Sequence, residues 1–440
     1  MPASVPPPHI PLAFLAASGA GLVGAGVGVA LVAGRLVGDP TGDGPLAAVH
    51  LVMLAFLTTG VLGAVHQFSC VVGRRALRSA RVALVSLALM VAGSWMLPAG
   101  FAAGDNRVVA LAGAVLGTGV LLVAWNLTGP LFGPARGLSI AGLRLSVAGL
   151  VVTAGFGVTY AFDRQAGEGW FGLDPDVVLA HAHIGLIAWL GLTYVAVAEK
   201  LWPMFLLAHR PGRTPGLLAV WLVPPGVAAL AAGLMAGWRY LALAGAVSIA
   251  TGLAAHVASF GGLLIRHRRR PPELLHAFIA ASAVFLIAAA GFAAVAGLAP
   301  FDTATRTRLV SAEVASLAAW IGLALIGHAH KVVPFISWGI LRKRGVSTAP
   351  DGQPLLFTHL WDRTTGRTSL VVGAGGFAAL TTGLAAASIP TVFAGGVLLA
   401  TTGAITMTNL TLGPLRAVRS ASRQATEGPG VVSTREGVKP

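Results

Sequence analysis

The sequence predicts an all-α, polytopic integral membrane protein with about twelve transmembrane helices. Of its 440 residues, 55% are hydrophobic and only 10% are charged, and the mean hydropathy is +0.80. Apolar runs of about twenty residues recur along the chain, which is the length that an α-helix needs to cross a bilayer. Because backbone groups in lipid must be hydrogen-bonded within the protein, these runs should be helical. The 58 glycines suit close packing of membrane helices.

The predicted spans are joined mostly by short connections, so we expect a single membrane domain over residues 1–440. The longest hydrophilic connection is 340–367, and the polar tail 417–440 is expected to be disordered. The predicted limits are 11–36, 46–70, 81–103, 108–130, 139–161, 178–206, 216–235, 240–265, 274–298, 309–338, 368–389 and 392–415.

The distribution of basic residues indicates how the chain is oriented in a cytoplasmic membrane. The net charge of +15 comes largely from loops that follow even-numbered spans, such as "GRRALRSAR" (73–81), "IRHRRR" (265–270) and "LRKRG" (341–345). Positive residues concentrate in cytoplasmic loops, which places both termini in the cytoplasm. The charge is therefore explained by the lipid bilayer, and no nucleic-acid partner is expected.

Several classes of site are excluded by the composition. Cys70 is the only cysteine, so the chain has no intramolecular disulfide, no paired-cysteine metal site and no covalent c-type heme motif. No glycine-rich nucleotide motif occurs between a strand and a helix. The N-terminus "MPASVPPPHI" lacks the basic region of a signal peptide, so the first span is expected to be retained.

An internal repeat relates spans 6 and 10. Residues 189–203, "WLGLTYVAVAEKLWP", match residues 320–334, "WIGLALIGHAHKVVP", without a gap. This register pairs Trp189 with Trp320. Such long-period similarity points to duplicated structural units.

Span 2 extends the repeat, since residues 50–68 match residues 183–201 of span 6 without a gap. This register places His50 on His183, Phe56 on Trp189 and His66 on Glu199. In addition, "NLTGPL" (126–131) resembles "NLTLGPL" (409–415). We therefore predict three repeats of four helices, over residues 11–130, 139–265 and 274–415, arranged as a pseudo-threefold bundle.

Ionisable residues in the spans fall into two layers. His50 and His66 are sixteen residues apart, which corresponds to about 24 Å along a helix, close to the bilayer thickness. The outer layer contains His50, His181, His183 and Glu313, and the inner layer contains His66, Glu199, Lys200, His256, His276, His328, His330 and Lys331.

The outer histidines predict a metal or heme site, because intramembrane ionisable residues are rare and usually functional. Imidazole is a common ligand of heme iron and copper. His181 and His183 are two residues apart on one helix, so they point about 200° apart and should serve different sites. The alternative is that these histidines only pack between helices or relay protons.

The inner layer predicts a proton path through His66, Glu199, Lys200 and Lys331, while His328 and His330 form a second candidate metal pair. Ordinary alternatives also exist. The lysines could extend to the membrane surface, and Glu199 could pair with a lysine. His66, His209, His267 and His359 lie near basic loops, where solvated interfacial histidines are expected.

The bundle resembles the catalytic subunit of heme–copper oxidases and the related nitric oxide reductases. "HAHIGLIAWLGLTY" with "KLWPMF" is similar to their heme-binding helix, and His50 matches the low-spin heme ligand on the second helix. The chain departs from the family in three respects. Its outer His-x-His lies on span 6 instead of span 10, span 7 has no histidine for the copper site, and the family's redox-active tyrosine has no counterpart.

The resemblance implies b-type heme, and copper or another second metal, in a protein of electron transfer or of nitric oxide or oxygen chemistry. Pseudosymmetry favours His50 with His181 as the axial pair, which leaves His183 and Glu313 for a second metal. The implied partners are a quinol or cytochrome donor and additional membrane subunits. The alternatives are a transporter or metal-handling protein, and a cofactor-free assembly subunit.

Overall fold

A computed structural model describes residues 5–167, 169, 175–209, 212–268, 272–349 and 352–427. Twelve helices in these ranges are long and apolar enough to cross a membrane, which confirms the predicted all-α polytopic fold. They are α1 (His9–Leu31), α2 (Asp43–Gly73), α3 (Ala80–Ala103), α4 (Asn106–Leu131), α5 (Leu138–Ala166), α6 (Asp176–Leu206), α7 (Thr214–Met235), α8 (Arg239–Ile265), α9 (Leu274–Leu298), α10 (Thr303–Lys343), α11 (Arg363–Ala385) and α12 (Ile389–Arg419).

The predicted limits lie within six residues of the observed spans, except that the last helix continues to Glu427, twelve residues beyond the predicted end at 415. Residues 417–427 are therefore helical, and the prediction of a disordered tail is wrong for that part. Among the other limits, the largest difference is at the start of α10. There the helix begins at Thr303, before the apolar run, because Asp302 caps it. The Asp302 carboxylate accepts a hydrogen bond from the backbone N–H of Thr305 at 2.8 Å. Side-chain caps of this kind satisfy the free N–H groups of a first turn.

We name the two ends of the bundle after residues that lie there. The Asp43 end is where α2 begins, and the Lys331 end is the opposite one.

Two of the spans contain a π-helical segment, which the sequence analysis did not predict. In α2 the segment is Leu51–Thr58 and directly follows His50. In α6 it is Ile184–Gly191 and directly follows His183. The segments have eight residues each and occupy matching positions in the predicted repeat. A π-turn contains more residues than an α-turn, so it changes the direction in which the histidine points relative to the rest of the helix.

Close contacts from neighbouring helices accompany both π-segments. A Cβ atom added at Gly21 of α1 would lie 2.2 Å from the carbonyl oxygen of Ala55 in α2. A Cβ atom added at Gly149 of α5 would lie 2.7 Å from the carbonyl oxygen of Ala188 in α6. Ala55 and Ala188 occupy matching positions in the repeat. Glycine is needed at both contacts because the backbones approach too closely for a side chain.

The centre of the bundle is a ring of three buried aromatic side chains from α2, α6 and α10. Each lies against the matching small residue of the next helix around the ring. Trp189 Nε1 is 3.4 Å from Thr58 Oγ1, a Cβ atom at Gly191 would lie 2.9 Å from the Trp320 ring, and one at Gly322 would lie 3.1 Å from the Phe56 ring. The three contacts thus follow one cyclic pattern, while the arrangement as a pseudo-threefold bundle stays a prediction.

The asparagines of the two similar "NLT" segments have the same role. Asn126 of α4 accepts a hydrogen bond from the backbone N–H of Ser79, the N-cap of α3, at 2.9 Å. Asn409 of α12 accepts one from the backbone N–H of Asp362, the N-cap of α11, at 2.8 Å. Each asparagine therefore links its own helix, by a hydrogen bond, to the N-cap residue of the preceding helix.

The outer helices close the bundle into a ring. Helices α1 and α12 pack along their length, as successive helices do elsewhere. Glycine makes this close approach possible, since a Cβ atom at Gly26 would lie 2.2 Å from the backbone nitrogen of Ala400. A Cβ atom at Gly396 would likewise lie 2.5 Å from the backbone nitrogen of Ala30. The first and last helices are therefore direct neighbours.

Candidate functional site

An apolar cavity of about 240 Å³ lies between α2 and α6, walled by α3, α4 and α5. Most of its described lining is aliphatic. The few polar or charged side chains that line it are His50, Thr58, Thr153, Tyr160, Arg164 and His181. A cavity of this character suits a large, mainly apolar ligand held by a few polar groups.

Glycine residues leave room for the cavity in its walls. Gly113 and Gly117 of α4, Gly157 of α5 and Gly185 of α6 all line it. A Cβ atom added at Gly157 would lie 3.5 Å from the imidazole Cε1 of His181. At Gly113, Gly117 and Gly185 an added Cβ atom would lie 2.9–3.2 Å from side chains of α5, so these glycines allow the helices around the cavity to approach closely.

His50 enters the cavity from α2 with its ring held in place. Its Nδ1 donates a hydrogen bond to the carbonyl oxygen of Leu46 at 2.7 Å. Its ring stacks on Phe101 of α3, with 5.3 Å between the centroids. A neutral imidazole that donates from Nδ1 carries its lone pair on Nε2, the form that binds metal ions.

His181 enters the same cavity from α6. Its ring makes an edge contact with Tyr160 of α5, with 6.0 Å between the centroids. Its Nδ1 atom is buried and has no hydrogen-bond partner, and the ring lines the same cavity as His50. Unpartnered buried polar atoms are costly and call for a ligand or another explanation. The structure thus brings together the two histidines that pseudosymmetry had paired.

Arg164 also lines the cavity, toward the Asp43 end of the bundle, and it was not among the predicted site residues. Its Nη2 donates to Asp43 Oδ1 of α2 at 2.5 Å, and its Nε donates to Asn106 Oδ1 of α4 at 2.7 Å. Its guanidinium also lies 5.5 Å from the centre of the Phe101 ring that stacks on His50. One feature of the sequence could have identified this residue. Arg164 lies in the last turn of an apolar span, and the positive-inside pattern does not explain an arginine at that position.

His183 points away from this cavity and contacts α10, as the angular separation from His181 predicted. Its Nδ1 donates to the carbonyl oxygen of Leu179 at 2.9 Å, and its Nε2 lies 3.0 Å from Glu313 Oε1. Both side chains are buried. Because both ring nitrogens of His183 are engaged, neither is free to bind a metal while this pair persists.

The structure does not gather the candidate metal residues into one site. No group of three or more His, Cys, Asp or Glu side chains able to hold a metal ion occurs in the described ranges. His328 and His330 donate from Nδ1 to the carbonyl oxygens of Ala324 and Ile326, one turn earlier in α10. His183 and Glu313 meet only each other among the four proposed ligands. These contacts therefore provide little support for the predicted second metal site.

His328 belongs to an aromatic cluster that fills the space between α6, α8 and α10. Its ring makes an edge contact with Tyr194, at 6.0 Å between centroids. Tyr194 also contacts His256 and Trp320, at 5.5 Å and 5.7 Å. Trp202 stacks near His256 at 4.4 Å. No sequence pattern predicts this packing, because the side chains come from three distant spans.

His66 is fully buried, so the expectation of a solvated interfacial histidine is wrong at this position. Its ring stacks on Phe14 of α1 at 5.0 Å, with 23° between the planes. His330 stacks on Phe278 of α9 at 5.6 Å, also with 23° between the planes. The neighbouring helix covers each ring, an effect that proximity to a basic loop does not reveal. Phe14 precedes Phe278 by the same interval as His66 precedes His330, in further agreement with the repeat.

Of the other residues proposed for a proton path, Lys331 has a defined structural partner. Its Nζ donates to both carboxylate oxygens of Glu273, at the start of α9, at 2.7 Å. Lys200 is exposed, as expected for a side chain that extends to the membrane surface. The Glu199 carboxylate lies against Gly216 of α7. These positions leave the proton path a prediction.

No protein-family model matches the sequence, and no curated protein matches it.

Proposed function

We propose that the protein is a membrane heme protein that transfers electrons, with b-type heme bound in the cavity by His50 and His181. The observation that carries this proposal is the presence of two imidazoles, from α2 and α6, on one large apolar cavity. The cavity chemistry fits the group, because an apolar wall accommodates a porphyrin and imidazoles ligate its iron. When bound, heme supplies one-electron redox chemistry at iron.

Residues around the cavity would hold this cofactor in a fixed position and limit its contact with water. The carbonyl oxygen of Leu46 fixes the His50 tautomer and leaves the lone pair on Nε2. Phe101 supports the His50 ring, and Tyr160 supports His181. Ligand orientation by such neighbours tunes the affinity and potential of a metal centre. The aliphatic walls would exclude water from the site.

Ligation by two histidines favours electron transfer over small-gas chemistry. If His50 and His181 both hold the iron, no ligand position would be left for nitric oxide or oxygen. A second, open centre at His183 would require the His183–Glu313 contact to break. We therefore retain the resemblance to heme–copper oxidases for the proposed fold and heme, and propose a simpler activity.

The expected setting is the cytoplasmic membrane, with both termini in the cytoplasm. The proposed donor is a quinol or a cytochrome, acting directly or through additional membrane subunits. Copper is not part of this proposal, because the described residues provide no three-ligand group.

The reduced-minus-oxidised optical spectrum of the detergent-purified protein tests the proposal, with iron measured on the same sample. We expect a low-spin b-type signal and one iron per chain. His50→Ala and His181→Ala should each abolish the low-spin signal, whereas His183→Ala, a matched control two residues away, should retain it.

Two results would contradict the proposal. Protein from heme-sufficient cells that contains no heme would favour transport or an assembly role instead. Loss of the low-spin signal in His183→Ala, with retention in His181→Ala, would move the ligand to the other face of α6.

A further inference from the structure

Arg164 is the only residue with a permanent charge among the described residues that line the cavity. It lies near one end of the cavity, between the first turn of α2 and the first residue of α4. The rest of the lining offers aliphatic and aromatic surface with a few neutral polar groups. The counter-ion Asp43 lies 2.5 Å from Arg164 but does not line the cavity, so the guanidinium is the charged group next to a bound ligand and suits an anionic edge.

The contacts of Arg164 hold the guanidinium in place without using all of its donors. Arginine has five N–H donors in a planar fork. The Asp43 carboxylate and the Asn106 amide oxygen each accept one hydrogen bond from it. The remaining donors can bind a carboxylate, which guanidinium recognises with matching geometry.

We propose that Arg164 binds the carboxylate groups of the heme and that Asp43 positions Arg164 for this role. The proposal rests on the proposed function, since it concerns the same cavity. Heme is apolar over most of its surface and carries two carboxylates along one edge. Binding at Arg164 directs that edge toward the Asp43 end, while His50 and His181 occupy the apolar part of the cavity.

The charges of Arg164 and Asp43 should change the redox potential of the heme. A purely structural role for the two residues would not predict such a change. Reduction lowers the charge at iron by one, so a nearby cation stabilises the reduced state and a nearby anion stabilises the oxidised state. Removal of the Arg164 charge should therefore lower the midpoint potential. Removal of the Asp43 charge should raise it, because the guanidinium then loses its counter-ion.

Redox titration of the purified, heme-loaded protein tests this pair of opposite effects. We expect Arg164→Gln to change the ratio of oxidised to reduced heme at a fixed ambient potential about tenfold toward the oxidised form. A tenfold change corresponds to about 59 mV for a one-electron couple. Asp43→Asn should change the ratio in the other direction. Arg107→Gln, an exposed residue next to Asn106, is the matched control and should leave the potential unchanged because solvent screens its charge.

Shifts of opposite sign in Arg164→Gln and Asp43→Asn, with no shift in Arg107→Gln, support the proposal. Unchanged potentials, or shifts of the same sign, in variants that retain heme overturn it and leave the proposed function intact. If Arg164→Gln loses heme, the sign for Asp43→Asn decides: an increase supports the proposal, and no change or a decrease overturns it. Absence of heme from the unaltered protein would overturn the proposed function itself.

Discussion

The imidazole of His183 in α6 and the carboxyl group of Glu313 in α10 lie 3.0 Å apart in the interior of the bundle. Because His183 donates from Nδ1 to Leu179, a hydrogen bond between Nε2 and Glu313 requires one further proton. That proton makes the pair either an ion pair or a neutral acid and base. In both forms the contact joins the second and third predicted repeats.

We predict that this pair is strongly coupled in stability. His183→Ala leaves a buried carboxyl group without its partner, and Glu313→Ala does the same to the imidazole. Loss of one member of a buried ion pair costs about 3–5 kcal/mol. The double variant should be more stable than the sum of the two losses indicates, with a coupling energy of about 0.5–3 kcal/mol. The free energy of unfolding in mixed micelles measures this. As a control, His183→Ala combined with Thr382→Ala, on the exposed face of α11, should be additive.

Carbon monoxide distinguishes a closed heme from an open one. The reduced protein should show no spectral change on addition of carbon monoxide, because His50 and His181 would both hold the iron and leave no position for it. His181→Gly should open one position and allow binding, while His183→Gly should behave like the unaltered protein. Carbon monoxide binding to the unaltered protein would instead favour small-gas chemistry.

Two glycines of α5 offer a matched test of the cavity. Gly157 lines it, and a Cβ atom there would lie 3.5 Å from His181. Gly155, half a turn away, would place a Cβ atom in open space. Gly157→Val should reduce heme occupancy several-fold, since the added methyl groups extend toward the His181 ring. Gly155→Val should retain full occupancy, and equal loss of heme in both variants would argue against this location.

Asn126 and Asn409, which accept hydrogen bonds from the N-cap residues of α3 and α11, should both contribute to stability. Asn126→Ala and Asn409→Ala each leave a backbone N–H without its acceptor, at Ser79 and Asp362. We expect a loss of about 1–3 kcal/mol in each case. Unfolding in mixed micelles would measure it, with the exposed substitution Thr401→Ala of α12 as a control. A loss at only one of the two positions would show that the similar "NLT" segments differ in function.

Sequence patterns predicted the features that depend on composition and periodicity. Twelve spans follow from apolar runs, and the matching tryptophans of α6 and α10 occupy matching places in the central ring. The opposed directions of His181 and His183 follow from helix geometry alone. These predictions needed only residues that are close in sequence or related by the repeat.

The features that were missed depend on contacts between distant segments. The π-segment after His50 has no apolar pattern that distinguishes it from α-helix, and the backbone contact with Gly21 is visible only in three dimensions. The burial of His66 depends on Phe14 in another helix. The position of Arg164 likewise depends on Asp43, which lies in the first turn of a different and distant span.

The close packing of α1 against α12 has a consequence for how the chain could be reconnected. Since the first and last helices are neighbours, the bundle has no open seam at the termini. An even number of spans brings both termini to the Lys331 end. A circularly permuted chain that starts at Leu138 and joins the original termini by a flexible linker would keep every helix contact described above. The position at which the chain starts is thus separable from the order of the helices around the bundle.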